Sequence, residues 1–324
     1  MSRIQELKNK VMEGGIISRQ EALELYRSPL EELCKAANEI RERFCKEVFD
    51  VCTIVNAKSG RCSEDCKYCS QSVHYKTLSS QYPLLDTEEL KKQAKYNADR
   101  GVLRYSLVTS GRVLEGQELD SVCESVREIK KEVDIEICAS FGLVGKEDLR
   151  KMKEAGIGRI HCNLESSESY FPNICTTHTY REKIEVIQNA LEEGLSVCSG
   201  GIMGLGETVE DRIDMLIDLR ELGIRSIPVN FLNPIQGTPY EHNEVLSEDE
   251  KRRIVAVCRF LLPGAAVRLA GGRGLSQDKG RKCFESGANA VISGDMLTTA
   301  GISIEKDMEM IKDLGYKVAL FEQE

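Results

Sequence analysis

Cys62, Cys66 and Cys69 fall in the run Arg61-Cys62-Ser63-Glu64-Asp65-Cys66-Lys67-Tyr68-Cys69. The spacing C-x3-C-x2-C gathers three soft thiolates into one short loop, with no fourth cysteine close behind. Three thiolates suit a four-iron cluster with one iron left open. A structural zinc site would want four ligands, usually as two separated pairs. A simple electron-transfer cluster would use four cysteines. A disulfide framework is disfavoured, because residues 1–13 are charged and mixed and carry no apolar export segment. An open iron binds a cofactor or substrate, so the loop predicts chemistry rather than a structural staple.

Other candidates lie in apolar runs. Cys138 sits in Ile135-Glu136-Ile137-Cys138, Cys198 in Ser196-Val197-Cys198, and Arg268 in Val267-Arg268-Leu269. A lone strand cysteine reads first as a packing residue. A strand arginine needs a partner for its charge. The run Arg159-Ile160-His161-Cys162-Asn163-Leu164-Glu165 puts His161, Asn163 and Glu165 on one face if extended, with Cys162 on the other. Gly200, Gly201, Gly204 and Gly206 mark a strand-to-helix junction where backbone could approach a ligand closely.

The elements that must position these groups alternate regularly. The first fifty residues predict helix: Ser18 and Glu21 form a capping box, and a second amphipathic stretch runs over 29–49. Apolar runs then recur near 52–56, 103–109, 135–141, 159–164, 196–203, 226–232, 266–270 and 290–293. Charged amphipathic segments separate them, several ending in glycine, as at Gly101, Gly156 and Gly194. Eight strand-like runs each followed by a helix predict an α/β fold, a (β/α)8 TIM-type barrel over 51–324 with an N-terminal helical extension over 1–50. A doubly wound open sheet is the alternative. In the barrel, the cysteine loop follows the first strand and lies on the face where such folds carry their chemistry.

A chain of 324 residues can bury one large core. A net charge of −9 argues against a general nucleic-acid binder. The sequence has no apolar run of the roughly 20 residues needed to span a bilayer. Thirteen cysteines with no export signal predict a reducing compartment, the cytoplasm, and metal or redox use.

The cysteine spacing is that of the radical S-adenosylmethionine superfamily. Over 51–318 the chain resembles the biotin synthase family, with segments 62–72, 163–179, 198–208, 227–231, 267–273 and 293–301 matching in order. The resemblance implies a homodimeric barrel that converts dethiobiotin to biotin and is served by a flavodoxin or ferredoxin-type electron donor. Cys62, Cys66 and Cys69 would hold a [4Fe-4S] cluster whose open iron binds S-adenosylmethionine. Reductive cleavage would give a 5′-deoxyadenosyl radical that takes hydrogen from dethiobiotin, and sulfide would come from an auxiliary cluster. By the same resemblance Asn163 and Glu165 bind the ribose, with Glu165 where an Asp is usual, and Tyr68 and Lys183 serve the same cofactor. Asn230 would hold the ureido ring, Thr298 and Thr299 the substrate carboxylate. His161 stands where an Asn usually contacts substrate. Cys138, Cys198 and Arg268 match three of the four auxiliary ligands. Ser106 occupies the fourth position, where the family carries cysteine, and a serine oxygen is a poorer ligand for an iron–sulfur cluster. Cys175, in the loop after the fourth strand, is the expected replacement, in a cluster of four irons with an extra sulfide rather than two. The rival readings are another radical enzyme of the same barrel type, such as a hydrogenase-cofactor maturase or a methylornithine synthase, and a non-catalytic electron-transfer protein.

Overall fold

The computed structural model describes residues 1–321. Three helices open the chain: α1 (Arg3–Met12), α2 (Arg19–Tyr26) and α3 (Leu30–Cys45). α2 begins on the expected capping box, in which the Ser18 hydroxyl accepts from the Glu21 N–H and the Glu21 carboxylate accepts from the Ser18 N–H. The second amphipathic stretch stops short of its expected end. Lys46 takes a φ of 55° just past α3 and the chain enters a strand at Val48, so Phe49 is a strand residue.

Strands and helices then alternate: β1 (Val48–Lys58), α4 (Thr87–Ala98), β2 (Arg104–Thr109), α5 (Gly116–Glu132), β3 (Glu136–Ser140), α6 (Lys146–Glu154), β4 (Ile157–His161), α7 (Tyr180–Glu192), β5 (Ser196–Cys198), β6 (Gly201–Met203), α8 (Val209–Glu221), β7 (Ser226–Phe231), α9 (Glu248–Leu261), β8 (Ala266–Leu269), α10 (Arg281–Phe284), β9 (Ala290–Ser293), α11 (Ile304–Asp313) and β10 (Lys317–Val318). Every pairing among them is parallel, in the order β1-β2-β3-β4-β5-β7-β8-β9. β9 returns to β1, with Asp50 opposite Ala290 and Cys52 opposite Ile292. The ring is closed, which rules out the doubly wound sheet. β6 continues the stave of β5 after a break at Ser199 and Gly200, and both pair with β7. β10 adds to the start of β1 outside the ring.

Strand alternation divides the barrel into two environments. Phe49, Val51, Val55, Tyr105, Leu107, Ile137, Ile160, Ile227, Val267 and Val291 belong to the apolar shell between strands and helices. Asp50, Cys52, Arg104, Ser106, Cys138, Cys198 and Arg268 are buried on the opposite strand face, the lumen. The helices α1 to α3 join the outer shell through Ile4, Leu7, Leu33, Ala37 and Ile40.

The glycines at the β5–β6 break serve packing, not ligand approach. A Cβ on Gly200 would stand 2.0 Å from the Pro228 carbonyl oxygen, and one on Gly201 would stand 2.4 Å from Met215 Sδ and 2.5 Å from the Glu165 oxygen. Only residues without a side chain let this stave lie between its neighbours.

Candidate active site

The cysteine loop leaves β1 on the expected face and is tied down at several points. Gln71 Oε1 accepts from the Gly60 N–H at 3.0 Å. The Cys62 N–H donates to the Gln71 carbonyl, and the Cys69 N–H donates to the Cys66 carbonyl. A second segment, 174–178, clasps the loop from outside. The Lys67 N–H donates to the Ile174 carbonyl at 2.9 Å, and Asp65 Oδ1 accepts from the Thr176 N–H at 2.8 Å. His74, a few residues past Cys69, is exposed and reaches the Ser63 carbonyl at 3.0 Å.

The thiols of this loop face a cavity of about 220 Å³. Cys62, Cys66, Cys69 and Tyr68 form one wall, and His161, Asn163, Glu165 and Lys183 form another. β4 ends at His161, so the expected alternation covers only its start. His161 and Asn163 keep the cavity-facing side, while Glu165 comes to the same cavity through a left-handed φ of 70°. Its N–H donates to the Gly200 carbonyl at 3.0 Å, and the Gly200 N–H donates to Asn163 Oδ1 at 3.3 Å. Glu165 Oε2 is buried without a hydrogen-bond partner. Burial pushes this carboxyl up, opposed by the charge of Lys183. Burial pushes the Cys69 thiol up to about 11. A positively charged iron centre would hold such thiols as thiolates.

Below the cavity, the lumen holds a second set of thiols. Cys138, Cys198 and Arg268 are each at most 1% exposed and Ser106 is fully buried. Ser106 is opposite Cys138 in the ladder, and His161 is opposite Cys198. His161 Nε2 lies 3.4 Å from Ser106 Oγ, so this imidazole stands between the two sets. Burial first, then Arg159, Arg268 and Arg104, push its pKa down to about 3, and the ring is neutral. Arg268 donates to Asp50 Oδ1 at 2.9 Å and to the Asp50 and Val291 carbonyls, while its Nε has no partner.

Cys175 is not with Cys138 and Cys198, where the sequence reading put it. Its Sγ lies 3.8 Å from that of Cys66 and 3.3 Å from His178 Nδ1, and it contacts Asp65. The 3-10 turn Phe171–Asn173 and the clasp onto Asp65 carry it over the cysteine loop, above the lumen. His178 in turn bonds Glu64 at 2.6 Å. Cys162 packs in the outer shell with Sγ toward the Lys183 carbonyl, as its alternation predicts. Two lumen residues escaped the sequence reading. Asp50 pairs with Arg268 and Arg104, and Cys52 places its Sγ 3.4 Å from Arg268 Nη1. The signal available for both was their even spacing along β1, on the face opposite Val51 and Val55.

Asn230 bridges two segments. Its Nδ2 donates to the Gly201 carbonyl at 3.1 Å and its Oδ1 accepts from the Gly271 N–H at 2.9 Å. Ser70 donates to Thr298 Oγ1 at 2.9 Å, linking the 294–302 loop to the cysteine loop. Thr299 lines a different cavity, of about 410 Å³, together with Arg273 and Lys306.

Residues 57–219 match the Radical SAM superfamily, and residues 228–317 match the Biotin and Thiamin Synthesis associated domain. A biotin synthase from Brachyspira hyodysenteriae is 57% identical over 98% of this chain and 96% of its own length. One from Akkermansia muciniphila is 56% identical over 99% of the chain and all of its own length. The chain belongs to the biotin synthase family. Among solved structures, a methylornithine synthase superposes with a TM-score of 0.85 at 20% identity, covering 97% of this chain and 98% of its own. An FeFe-hydrogenase maturase from Carboxydothermus hydrogenoformans superposes with a TM-score of 0.82 at 19% identity, covering 97% and 78%. These two share the fold. They are the enzyme types that stood as rivals, and the biotin synthase relatives decide between them.

The donor sets suit iron–sulfur clusters. For the first cluster, three thiols from one loop open on a cavity whose opposite wall holds an unpartnered carboxylate oxygen. For a second, the lumen offers buried thiols beside an arginine with an unpartnered Nε. Among the described residues no helix is long and apolar enough to cross a membrane.

Proposed function

We propose that this biotin synthase binds S-adenosylmethionine in the 220 Å³ cavity and dethiobiotin between that cavity and the lumen, and that sulfur reaches the substrate from a cluster in the lumen. The observation that carries this reading is the stacking of two thiol sets along one barrel axis, with His161 between them. When bound, the [4Fe-4S] cluster with S-adenosylmethionine supplies hydrogen-atom abstraction, and an auxiliary cluster supplies sulfur.

Cys62, Cys66 and Cys69 hold the first cluster, and the clasp from 174–178 keeps their loop in one conformation. Glu165 uses its free Oε2 to accept from the ribose hydroxyls, and Asn163 and Tyr68 flank it. Lys183 brings positive charge to the same wall, suited to the carboxylate of the methionyl group. Neutral His161 offers the substrate a hydrogen bond without a buried charge. Asn230 spends one N–H and one lone pair on the backbone, which leaves the other N–H and lone pair for the ureido ring. Thr299, in the cavity with Lys306, and Thr298, bonded to Ser70, suit the substrate carboxylate. The closed ring of strands and the buried lumen keep water away, so a reactive substrate carbon held there would be shielded from solvent. A flavodoxin or ferredoxin-type protein would deliver the electron, and two copies would form the homodimer of the family.

Dethiobiotin deuterated at the two reacting carbons tests the reading. Under anaerobic reducing conditions deuterium should move into 5′-deoxyadenosine and biotin should form. Formation of 5′-deoxyadenosine without deuterium would mean that another molecule is the hydrogen donor.

A further inference from the structure

We infer that Cys52 is the third thiolate ligand of the auxiliary cluster, in a set with Cys138, Cys198 and Arg268. The inference rests on the reading that the lumen holds such a cluster. Four observations support it.

Cys52 belongs to the lumen, not to the shell. Cys34, Cys123, Cys162, Cys258 and Cys283 pack in the apolar layer between strands and helices, which is the ordinary place for a buried cysteine. Cys52 lies outside that layer, 1% exposed, in a small separate cluster with Ala270 and Ile292.

It also faces the right partners. Its Sγ is 3.4 Å from Arg268 Nη1, and the Nε of the same guanidinium is buried and unpartnered. Cys138 and Cys198 are buried on the same lumen face. Three buried thiols on the lumen face, with Cys52 in contact with Arg268, make a soft donor set suited to iron–sulfur ligation.

The ligand lost from β2 reappears on the adjoining strand. Ser106 is opposite Ile54 in the β1–β2 ladder, and Cys52 is the next residue of β1 on the same face. A thiolate has shifted by one strand and one layer, so the set remains a ring around the same axis.

The lumen thiols are not gathered as tightly as one ion requires. Two sulfurs on a single zinc, at bonds of about 2.3 Å, stand about 3.8 Å apart. Among the described residues, Cys66, Cys175 and His178 meet such a limit, with ligand atoms all within 4.8 Å of one another; Cys52, Cys138 and Cys198 do not form such a group. Cys175, the earlier choice for this role, is committed to the cysteine loop above.

The test is anaerobic reconstitution of the parent, Cys52→Ala, Cys52→Ser and Cys175→Ala, with iron and sulfide counts and Mössbauer spectra. The parent should bind more iron than the four of a single [4Fe-4S] cluster. Cys52→Ala should fall to the iron content of one cluster and lose the auxiliary Mössbauer signal, while the reduced primary cluster keeps its electron paramagnetic resonance signal. Cys52→Ser, nearly the same size, guards against misfolding and should give an altered or depleted auxiliary signal with that resonance intact. Cys175→Ala should retain the auxiliary signal. If both Cys52 variants keep the parent iron count and auxiliary spectrum, Cys52 is not a ligand, and the reading of two clusters stands. If the parent itself binds a single cluster, that reading fails and takes the inference with it.

Discussion

Glu165 carries two local costs in the folded chain. It is 8% exposed, adopts a left-handed φ and leaves Oε2 unpartnered. A non-glycine residue in that region and an unsatisfied buried oxygen each cost on the order of 1–3 kcal/mol. Both would be relieved by a ribose hydroxyl donating to the carboxylate, as the proposed site requires. Removing the acceptor should therefore harm binding more than folding. Glu165→Ala is expected to weaken S-adenosylmethionine binding to the reconstituted protein by about 10- to 100-fold, the worth of a hydrogen bond to a charged group. Equilibrium dialysis measures this directly, and an unchanged dissociation constant would remove Glu165 from the ribose site. The shared cavity face of His161 and Asn163 was legible from alternation. The approach of Glu165 was not, because the strand ends before it and a positive φ redirects the chain.

Among the elements, the broken stave β5–β6 decides where several site residues sit. Gly200 takes an N–H bond from Glu165 and donates to Asn163, so the break positions both of these cavity-lining residues. It also touches the Pro228 carbonyl so closely that no Cβ fits. Backbone at that point cannot yield as a flexible side chain would. Gly200→Ala should therefore force β5 and β7 apart and destabilise the protein by about 1–3 kcal/mol or more, the usual range for overpacking. S-adenosylmethionine binding should weaken with it, since Asn163 and Glu165 lose their bracing. Urea midpoints and the same dialysis report the two effects. A variant with both unchanged would show that the stave has room. Glycine richness in the sequence predicted a close approach here, but it could not say that the approaching group was another strand.

The molecule as a whole closes over a charged floor. Asp50 on β1 meets Arg104 on β2 and Arg268 on β8, so one carboxylate ties strands on both sides of the closure. Burial alone would push its pKa up. Arg268, Arg104 and Arg159 outweigh this and bring it from 3.8 down to about 2. The depressed pKa means that Asp50 stabilises the fold fully above about pH 4, its unfolded range, and loses that contribution as the pH falls toward 2. Asp50→Asn leaves buried guanidinium groups unpaired and should cost about 3–5 kcal/mol at neutral pH. The gap between parent and variant should stay constant down to about pH 4 and narrow below it, because the parent is then protonated as well. Denaturant midpoints across that range test the claim. Equal midpoints at neutral pH would show that the floor does not depend on this carboxylate.

What the sequence determined by itself was whatever depends on local spacing. The eight strand runs, the capping box at Ser18 and the three-thiolate loop each declare themselves within a few residues. The family match then supplied roles for residues far apart in the chain. What only the tertiary structure decided was which distant groups meet. Cys52 sits in a β1 run that is almost entirely buried, so alternation places it on the face opposite Val51 and Val55 but not beside any particular partner. Ring closure between β9 and β1 is what turns Cys52 toward Arg268. Cys175 lies on the correct face of the barrel, yet its height above the lumen is set by the clasp of 174–178 on Asp65, a contact across more than a hundred residues. Local spacing fixes which side of a strand a residue occupies. Shear, closure and loop docking fix which layer it reaches, and those are properties of the assembled barrel.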